Sequence, residues 1–260
     1  MINSVFSYAD LEYFLLILVR ITSFIFVAPF YGMNNTPARL KIGLGIFVSL
    51  LVFSVMTPHE TVVYDSVVGY AIIVIKEVVV GLIIGFGTSV CTSIVSFAGH
   101  VIDMETGLSL VTLMDPNTHE ASSISGIFYQ YVLMLMLIVS GMYRYLLGAL
   151  VDTFTLIPVS GAVFNMDALM SSMLTFMNNY IVIGFRICLP VFGVMIMLNA
   201  ILGILAKVSP QMNMFAVGIQ IKILTGLTVL FLTVGMLPSA SDFIFTQMKR
   251  VVVSFVEGMM

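Results

Sequence analysis

The sequence predicts an all-α protein of the polytopic membrane type, with about seven to eight helices. Composition is the first reason: 60% of the 260 residues are hydrophobic and only 9% are charged, whereas soluble domains average about 25% charged residues. The second is that several uncharged runs reach the roughly 20 residues that a membrane-spanning helix needs. The third is that these runs lack the two-residue alternation of membrane β-strands. We expect one domain over residues 1–260.

The charge balance excludes nucleic acid as a partner. Lys and Arg number 10 against 13 Asp and Glu, a net charge of −3, so there is no basic surface to hold a phosphate backbone. Intrinsic disorder is excluded as well, since it requires low hydrophobicity together with high net charge. Cys91 and Cys188 lie in separate apolar runs without a CxxC motif, and we therefore expect neither a disulfide scaffold nor a zinc site.

The first half of the chain contains three apolar runs that predict helices. Residues 11–30 are interrupted by Arg20, and residues 40–56 form a shorter run. Residues 78–102 contain no charged side chain and are long enough to cross a bilayer. The third run is therefore a stronger candidate than the first two.

The second half contains five further runs. The strongest three are free of charged residues and cover 121–143, 187–206 and 223–241. The weaker two are 145–164, split by Asp152 and Pro158, and 168–185, which carries several Ser and Asn residues. Pro190 lies near the start of a strong run, where the first turn of a helix tolerates a residue without an N–H.

The loop charges do not give a simple topology. Arg39 and Lys41 place the connection after the first run in the cytoplasm by the positive-inside rule. If successive helices cross the bilayer in alternating directions, residues 98–123 should also lie in the cytoplasm. This stretch, however, holds four acidic residues and no Lys or Arg. Either residues 67–97 form a hairpin of two shorter helices, or not every helix crosses a bilayer in the ordinary way.

Five charged residues within apolar runs need a partner or a wet surface, since a charge at bilayer depth costs about 2.5–3.5 kcal/mol. They are Arg20, Lys76, Glu77, Asp152 and Arg186. We expect Arg20 and Arg186 to lie at helix ends and to extend their charges to the interface. Lys76 and Glu77 point about 100° apart on a helix and do not pair with each other, so they are candidate contacts with other helices or other chains.

Small residues and missing motifs complete the residue-level interpretation. Gly81 and Gly85 form a GxxxG pattern that favours close packing of two helices. No HExxH motif follows His119-Glu120, and no nucleophile elbow or phosphate-binding loop is present in the sequence. We therefore predict no enzymatic activity and no catalytic, cofactor or metal site.

Four stretches of the chain, in order, resemble the flagellar biosynthetic protein FliR family. The first is Ala28-Pro29-Phe30 followed by Pro37-Ala38-Arg39-Leu40-Lys41, and the second is Glu105-Thr106-Gly107-Leu108-Ser109 followed by Met114-Asp115-Pro116-Asn117-Thr118-His119. The third is Val151-Asp152-Thr153-Phe154 with Ile157-Pro158, and the fourth is Lys207-Val208-Ser209-Pro210-Gln211-Met212-Asn213-Met214-Phe215. Together they lie along nearly the whole chain.

The resemblance implies a subunit of the type III protein export gate of the bacterial inner membrane and flagellar basal body. There it would assemble with FliP-like and FliQ-like subunits, beside FlhB-like and FlhA-like components, into a pore for unfolded flagellar substrates. It also implies helices packed as hairpins within a helical assembly that is partly displaced from the bilayer toward the periplasm. Pro210, Gln211 and Asn213 of the fourth stretch become further candidate subunit contacts.

Within the candidate loop 99–123, the resemblance assigns a pore plug to residues 106–119. Gly107 and the Asp115-Pro116 pair interrupt a helix and permit turns. Between them, apolar side chains can close a pore, because an apolar constriction excludes water and ions by dewetting. The candidate plug residues are Gly107, Leu108, Ser109, Leu110, Val111, Leu113, Met114, Asp115 and Pro116.

Two other functions fit parts of the same pattern. The equivalent export-gate subunit of a virulence injectisome shares this organisation, and the Pro-Ala-Arg-Leu-Lys and Asp-Pro-Asn-Thr-His stretches favour the flagellar one. A secondary transporter for a small solute would also place charges within apolar helices. It would have a midplane site and internal repeats, and the sequence shows no convincing repeat.

Overall fold

The computed structural model describes residues 8–33, 36–56, 62, 64, 66–110, 113–114, 121–209, 211 and 213–260. In the described part the helices are α1 (Tyr8–Val27), α2 (Ala38–Val55), α3 (Val67–Thr106), α4 (Ile124–Val139), α5 (Met142–Leu156), α6 (Met166–Val208), α7 (Met214–Thr233) and α8 (Leu237–Glu257). Short 3₁₀ turns cover Leu108–Leu110 and Val234–Met236. The two-residue strands β1 (Leu113–Met114) and β2 (Ala121–Ser122) pair antiparallel. The prediction of an all-α protein is confirmed.

Two helices are longer than the sequence predicted. α3 is one helix of 40 residues, so the interpretation of residues 67–97 as a hairpin is wrong. α6 has 43 residues and joins the runs 168–185 and 187–206 that were predicted as separate helices. Pro190 lies inside α6 and not in a first turn. Its ring removes one backbone hydrogen bond, and the apolar residues on both sides continue the helix.

The apolar helices leave much of their surface uncovered. By length and composition, four helical stretches in the described chain could cross a membrane, namely Ala38–Val55, Val67–Thr106, Met166–Val208 and Ala216–Glu257. A fifth is possible if α4 and α5 form one broken span. Only 11–28% of the residues in the most apolar window of each stretch are buried within the chain. Lipid or other subunits must therefore cover the rest.

The chain divides into two compact units. Unit 1 comprises residues 1–90, 141–175 and 247–260, and unit 2 comprises residues 91–140 and 176–246. Consequently α3, α6 and α8 each contribute residues to both units. The expectation of one domain over residues 1–260 stays a prediction.

In unit 1, α1 and α2 form an antiparallel helical hairpin. Near its turn, a Cβ at Gly45 would lie 2.6 Å from Thr22 Cγ2, so the two helices approach closely there. At the other end, the Phe53 ring lies 6.5 Å from the Tyr13 ring and 5.8 Å from the Phe14 ring. Leu16 of α1 is completely buried in the core of the unit. This arrangement agrees with the predicted packing as hairpins.

The end of α8 and the residues after it also belong to unit 1. The backbone N–H of Val163 donates to Met259 O at 3.1 Å, and that of Asn165 donates to Gly258 O at 3.0 Å. Met259 is completely buried. The connection between α5 and α6 is therefore held by residues almost a hundred positions later.

Two more hairpins lie in unit 2. α3 and α4 approach so closely that a Cβ at Gly99 would overlap the backbone of Gly126. α6 and α7 run antiparallel, since Gly218 lies beside Leu202 and Gly226 lies beside Met195. Small residues at these positions allow the close helix approach that stabilises helix pairs in an apolar medium.

Candidate functional site

The candidate plug segment begins where α3 ends. Thr106 is the last helical residue and is buried, with its hydroxyl donating to Ile102 O at 2.9 Å. Gly107 follows with a φ of +83°, which a residue without a Cβ adopts at little cost. The chain then makes the 3₁₀ turn Leu108–Leu110. A helix break at Gly107 is thus a feature of the fold.

The segment then forms a short β-hairpin. Leu113 pairs with Ser122 and Met114 pairs with Ala121, so the chain reverses between them and returns to the start of α4. Of the predicted plug residues, Leu108 is buried and Ser109 is exposed, and Leu110 ends the 3₁₀ turn. Val111, Asp115 and Pro116 lie outside the described residues.

The candidate loop is shorter than predicted. Residues 99–106 belong to α3, so the non-helical part begins at Gly107 and not at Gly99. Asp103 and Glu105 lie within the predicted loop 99–123, yet both are helical. Asp103 has only 1% of its surface exposed, and it lies against the start of α4.

Side-chain hydrogen bonds cap the start of α4, and one of them joins it to the end of α3. Both carboxylate oxygens of Asp103 accept the Ser125 N–H, at 3.3 and 3.2 Å. The Ser123 hydroxyl accepts the Gly126 N–H at 2.9 Å and is the N-cap of α4. Each cap satisfies a donor that the first turn of a helix leaves free. We call Asp103, Ser123, Ser125, Gly99 and Gly126 the neck of the plug segment.

Unit 1 contains a second polar cluster, a buried ion pair between α1 and α3. The Arg20 guanidinium contacts the Glu77 carboxylate through two nitrogens, with Arg20 Nη2 at 3.0 Å from Glu77 Oε1. Both side chains are completely buried. A bidentate pair of this kind is among the stronger charged hydrogen bonds in proteins.

The end of α5 completes this cluster. Arg20 Nη1 donates to Ile157 O at 3.0 Å and to Thr153 O at 3.4 Å, and the guanidinium lies 4.3 Å from the centre of the Phe154 ring. The Ser160 N–H donates to Glu77 Oε1 at 3.0 Å. The third FliR-like stretch therefore supplies the carbonyls and the ring that surround Arg20.

The prediction for Arg20 is wrong. Arg20 does not extend to an interface from a helix end, because it is buried and bound on several sides. For Glu77 the sequence left open a contact with another helix or with another chain, and its carboxylate is bound by Arg20 of another helix and by the Ser160 N–H. Sequence reasoning missed this pairing. The available signal was two opposite charges in apolar runs that lacked partners on their own helices.

Lys76 and Arg186 have more open surroundings. Lys76 is half-buried and donates to Ala162 O at 3.4 Å. Arg186 is exposed, with its guanidinium 5.8 Å from the centre of the Phe243 ring. Because α6 is continuous, Arg186 lies in the middle of a helix, and its predicted place at a helix end is wrong. Asp152 is exposed on α5.

The GxxxG glycines of α3 face α1. A Cβ at Gly81 would overlap the Ser23 hydroxyl and the carbonyl oxygen of Arg20. At Gly85 a Cβ would lie 3.1 Å from Val27 Cβ and 3.2 Å from Phe24 O. These glycines bring the α3 backbone next to α1, one turn beyond Glu77, so that the ion pair can form.

The first FliR-like stretch forms the connection between α1 and α2. Lys41 Nζ donates to Gly32 O at 3.0 Å, and the Tyr31 hydroxyl donates to Tyr143 O at 2.9 Å. Burial, together with the nearby Tyr143, raises the pKa of Tyr31 to about 12, so this hydroxyl keeps its proton and remains a donor.

The fourth stretch forms the connection between α6 and α7. Asn213 is the N-cap of α7, and its side chain accepts the Ala216 N–H at 3.4 Å. Gln211 and Asn213 are exposed. Pro210 lies outside the described residues. The two described polar residues are thus placed at the exposed end of a helical hairpin.

These features define a polytopic all-α membrane protein with a buried ion pair and a capped hairpin between long apolar helices. The sequence model of a protein family, bacterial export proteins, family 1, matches residues 11–248 of this chain. Flagellar biosynthetic protein FliR of Bacillus subtilis (strain 168) is 29% identical over 212 residues, which cover 81% of each chain. FliR of Aquifex aeolicus (strain VF5) is 27% identical over 242 residues, 92% of each chain. FliR of Escherichia coli (strain K12) is 23% identical over 234 residues, 88% of this chain and 87% of that protein.

The chain belongs to the bacterial export proteins, family 1. The predicted resemblance to FliR is confirmed, since the relatives named above match most of the chain.

Proposed function

We propose that the chain is a non-enzymatic subunit of the flagellar type III export gate in the bacterial inner membrane. In this role it forms, with FliP-like and FliQ-like subunits, a pore for unfolded flagellar proteins. The match to a family of export proteins supports transport, and the relatives carry flagellar names. In the part of the chain that the structure describes, no feature favours the injectisome or the small-solute transporter over this role. Displacement of the assembly toward the periplasm stays a prediction.

Uncovered apolar faces support assembly with other helical subunits. On α2, Phe47 and Leu50 are exposed by 60% and 52%, and on α7 Phe231 is exposed by 79%. Apolar helix faces of this size are covered by lipid or by partner helices. We assign Lys76, Gln211 and Asn213 as polar contacts with FliP-like or FliQ-like subunits. FlhB-like and FlhA-like components are further partners in the same machine.

The observation that carries the gate function is the hairpin between α3 and α4. Gly107 turns the chain out of α3, and the pairing of β1 with β2 returns it to α4. We propose that this segment, residues 106–119, closes the pore of the assembled gate. Its Leu, Val and Met side chains would form the apolar constriction that excludes water and ions.

Deletion of residues 108–114 tests the plug. We expect the gate to assemble in normal amounts and to leak ions, because the apolar barrier is removed while the helices remain. The measurement is ion flux through the purified complex in proteoliposomes loaded with an ion-sensitive dye. Asp242→Ala is the control, since this exposed side chain lies outside residues 106–119. An assembled deletion variant that stays as ion-tight as the control would contradict the plug.

Co-purification tests the assembly. We expect FliP-like and FliQ-like proteins to remain bound to the tagged chain through detergent extraction and size-exclusion chromatography, because the uncovered helix faces need partners. An isolated, monodisperse chain that drives solute uptake into vesicles would instead indicate a transporter. Recovery of injectisome subunits in place of flagellar ones would assign the chain to the export gate of an injectisome, which shares this architecture.

A further inference from the structure

Arg186 is a cation that neither the ion pair of unit 1 nor the proposed export role accounts for. It lies in the middle of α6 and is exposed. Its guanidinium lies 5.8 Å from the centre of the Phe243 ring, and within the described part of the chain it has neither an ion pair nor a hydrogen bond. Because a charge among apolar helices is unfavourable without a partner, we expect Arg186 to bind an anion from outside the chain.

A cavity of about 430 Å³ lies beside Arg186, within unit 2. Its wall is mostly apolar and is supplied mainly by α4, α6 and α8, including Tyr129, Ile183, Pro190, Leu237 and Phe243. Ser239 adds a hydroxyl that has no hydrogen bond among the described residues. No described carboxylate lines the cavity, and the exposed Asp242 lies outside its wall. A cavity of this size with few polar groups is typical of a small-molecule site.

The hairpin of α6 and α7 indicates the depth of this cavity in the membrane. The uncharged stretch 187–206 of α6 and the 20 residues of α7 each extend about 30 Å, which is the thickness of the hydrocarbon layer. Lys207 marks one end of this length and Arg186 marks the other. Lys222 lies in the first half of α7, so its long side chain can extend toward the Lys207 end. Arg186 is therefore at the level of the lipid headgroups.

A break in the neighbouring helix lies at the same end of the hairpin. After α7 the chain makes the 3₁₀ turn Val234–Met236, because Pro238 has no N–H to continue the α-helical pattern, and Val234 O accepts the Leu237 N–H instead. Gly235 and Leu237 line the cavity. An interrupted helix is unfavourable in hydrocarbon, where water cannot satisfy the backbone. The break thus places the cavity at the membrane surface independently of Arg186.

We propose that this cavity binds one anionic phospholipid, with its phosphate on Arg186 and one acyl chain between α4, α6 and α8. The planar guanidinium donates well to phosphate oxygens, and the Ser239 hydroxyl is a second donor for the headgroup. The apolar wall covers the chain. A carboxylate of a partner helix is the competing anion, but the concave wall and the headgroup level favour the lipid. The inference rests on the membrane location of the chain and stands independently of the proposed pore.

A single tryptophan can report on the cavity, because the chain contains no Trp. Phe243→Trp places an indole in the wall and keeps an aromatic face for Arg186. The purified full chain is reconstituted into phosphatidylcholine vesicles that contain a small fraction of phosphatidylglycerol with brominated acyl chains, which quench Trp fluorescence on contact. Brominated phosphatidylcholine gives the reference. We expect phosphatidylglycerol to quench at an about fivefold lower fraction, the scale of one basic residue acting on an anionic lipid.

Three further variants test the role of the charge. Phe231→Trp on α7 is the matched control, because Phe231 is 79% exposed and lies outside the cavity wall, so both brominated lipids should quench it equally. Arg186→Gln, combined with Phe243→Trp, should lose the preference for phosphatidylglycerol, and Arg186→Lys should keep most of it. The proposal is overturned if Phe243→Trp shows no preference, if Arg186→Gln keeps it, or if Arg186→Lys loses it as Arg186→Gln does.

Two measurements separate the lipid from other anions. Native mass spectrometry of the detergent-extracted complex should count one phosphatidylglycerol fewer with Arg186→Gln than with wild type, at the same subunit composition. Equal lipid counts would overturn the proposal and assign Arg186 to an acidic side chain of a partner subunit. Inorganic phosphate, added at constant ionic strength, should not reduce the quenching in Phe243→Trp, since the acyl chain also holds the lipid. Displacement by phosphate alone would make the cavity an anion site and overturn the lipid assignment.

Discussion

Glu77→Leu is expected to cost the chain about 3–5 kcal/mol of folding free energy, because it leaves the Arg20 guanidinium buried without a counter-charge. The loss is a large part of the 5–15 kcal/mol that stabilises a typical protein. The Ser160 N–H loses its acceptor in the same variant. We expect little folded chain in membranes and a clearly lower Tm in detergent. Fluorescence-detected size-exclusion chromatography measures the amount of folded chain, and the same measurement after heating to a series of temperatures gives the Tm.

A double substitution provides the internal comparison. Arg20→Met with Glu77→Leu removes both charges, and replacing a buried ion pair by apolar residues often restores stability. Here the rescue should be partial, since the Ile157 carbonyl and the Ser160 N–H lose their partners. Asp152→Leu removes an exposed acidic residue and serves as the control. Equal thermal stability of Glu77→Leu and Asp152→Leu would show that the pair is dispensable.

Gly99→Val is expected to separate α3 from α4. A Cβ at Gly99 would overlap the Cα and N atoms of Gly126, and backbone atoms cannot move aside as a flexible side chain can. Overpacking in a core usually costs about 1–3 kcal/mol of stability. Because valine is bulkier than alanine, Gly99→Val should cost more stability than Gly99→Ala. Both variants should lower the Tm in detergent, and Gly99→Val should lower it more than Gly99→Ala.

Gly203→Ala on α6 is the control for the glycine series. Among the described residues, no atom outside the surrounding turns of α6 lies within 4 Å of the position that its Cβ would take. Alanine also has a higher helix propensity than glycine by about 1 kcal/mol, so this variant should be neutral or slightly stabilised. If Gly99→Ala melts at the same temperature as Gly203→Ala, then α3 and α4 do not depend on the close approach.

The sequence predicted helices well and their limits poorly. Charge-free runs such as 78–102 identified helices, because burial in an apolar medium needs few charges. Arg186 suggested a boundary within α6, but an exposed arginine on one face does not interrupt backbone hydrogen bonds. Asp103 was included in the predicted loop 99–123, but a buried carboxylate can remain in a helix when it accepts a hydrogen bond from the first turn of another helix.

The plug segment could be anticipated in part, and the ion pair could not. Gly107 predicted a break in the helix, and the structure shows this break with a positive φ at Gly107. The pairing of Arg20 with Glu77 joins residues 57 positions apart. Sequence periodicity describes one helix at a time, so it does not say which helices become neighbours. The GxxxG glycines indicated close packing without indicating that α1 is the partner.

The interleaved order of the two units has a consequence for biogenesis. Unit 1 needs residues 141–175 and 247–260 as well as residues 1–90. Since translation proceeds from the N-terminus, α1 emerges with Arg20 long before Ile157 O is available to bind it. The bonds from Val163 and Asn165 to residues 258 and 259 form later still. Unit 1 therefore completes its packing only after residues 247–260 have been synthesised, however early its first helices emerge.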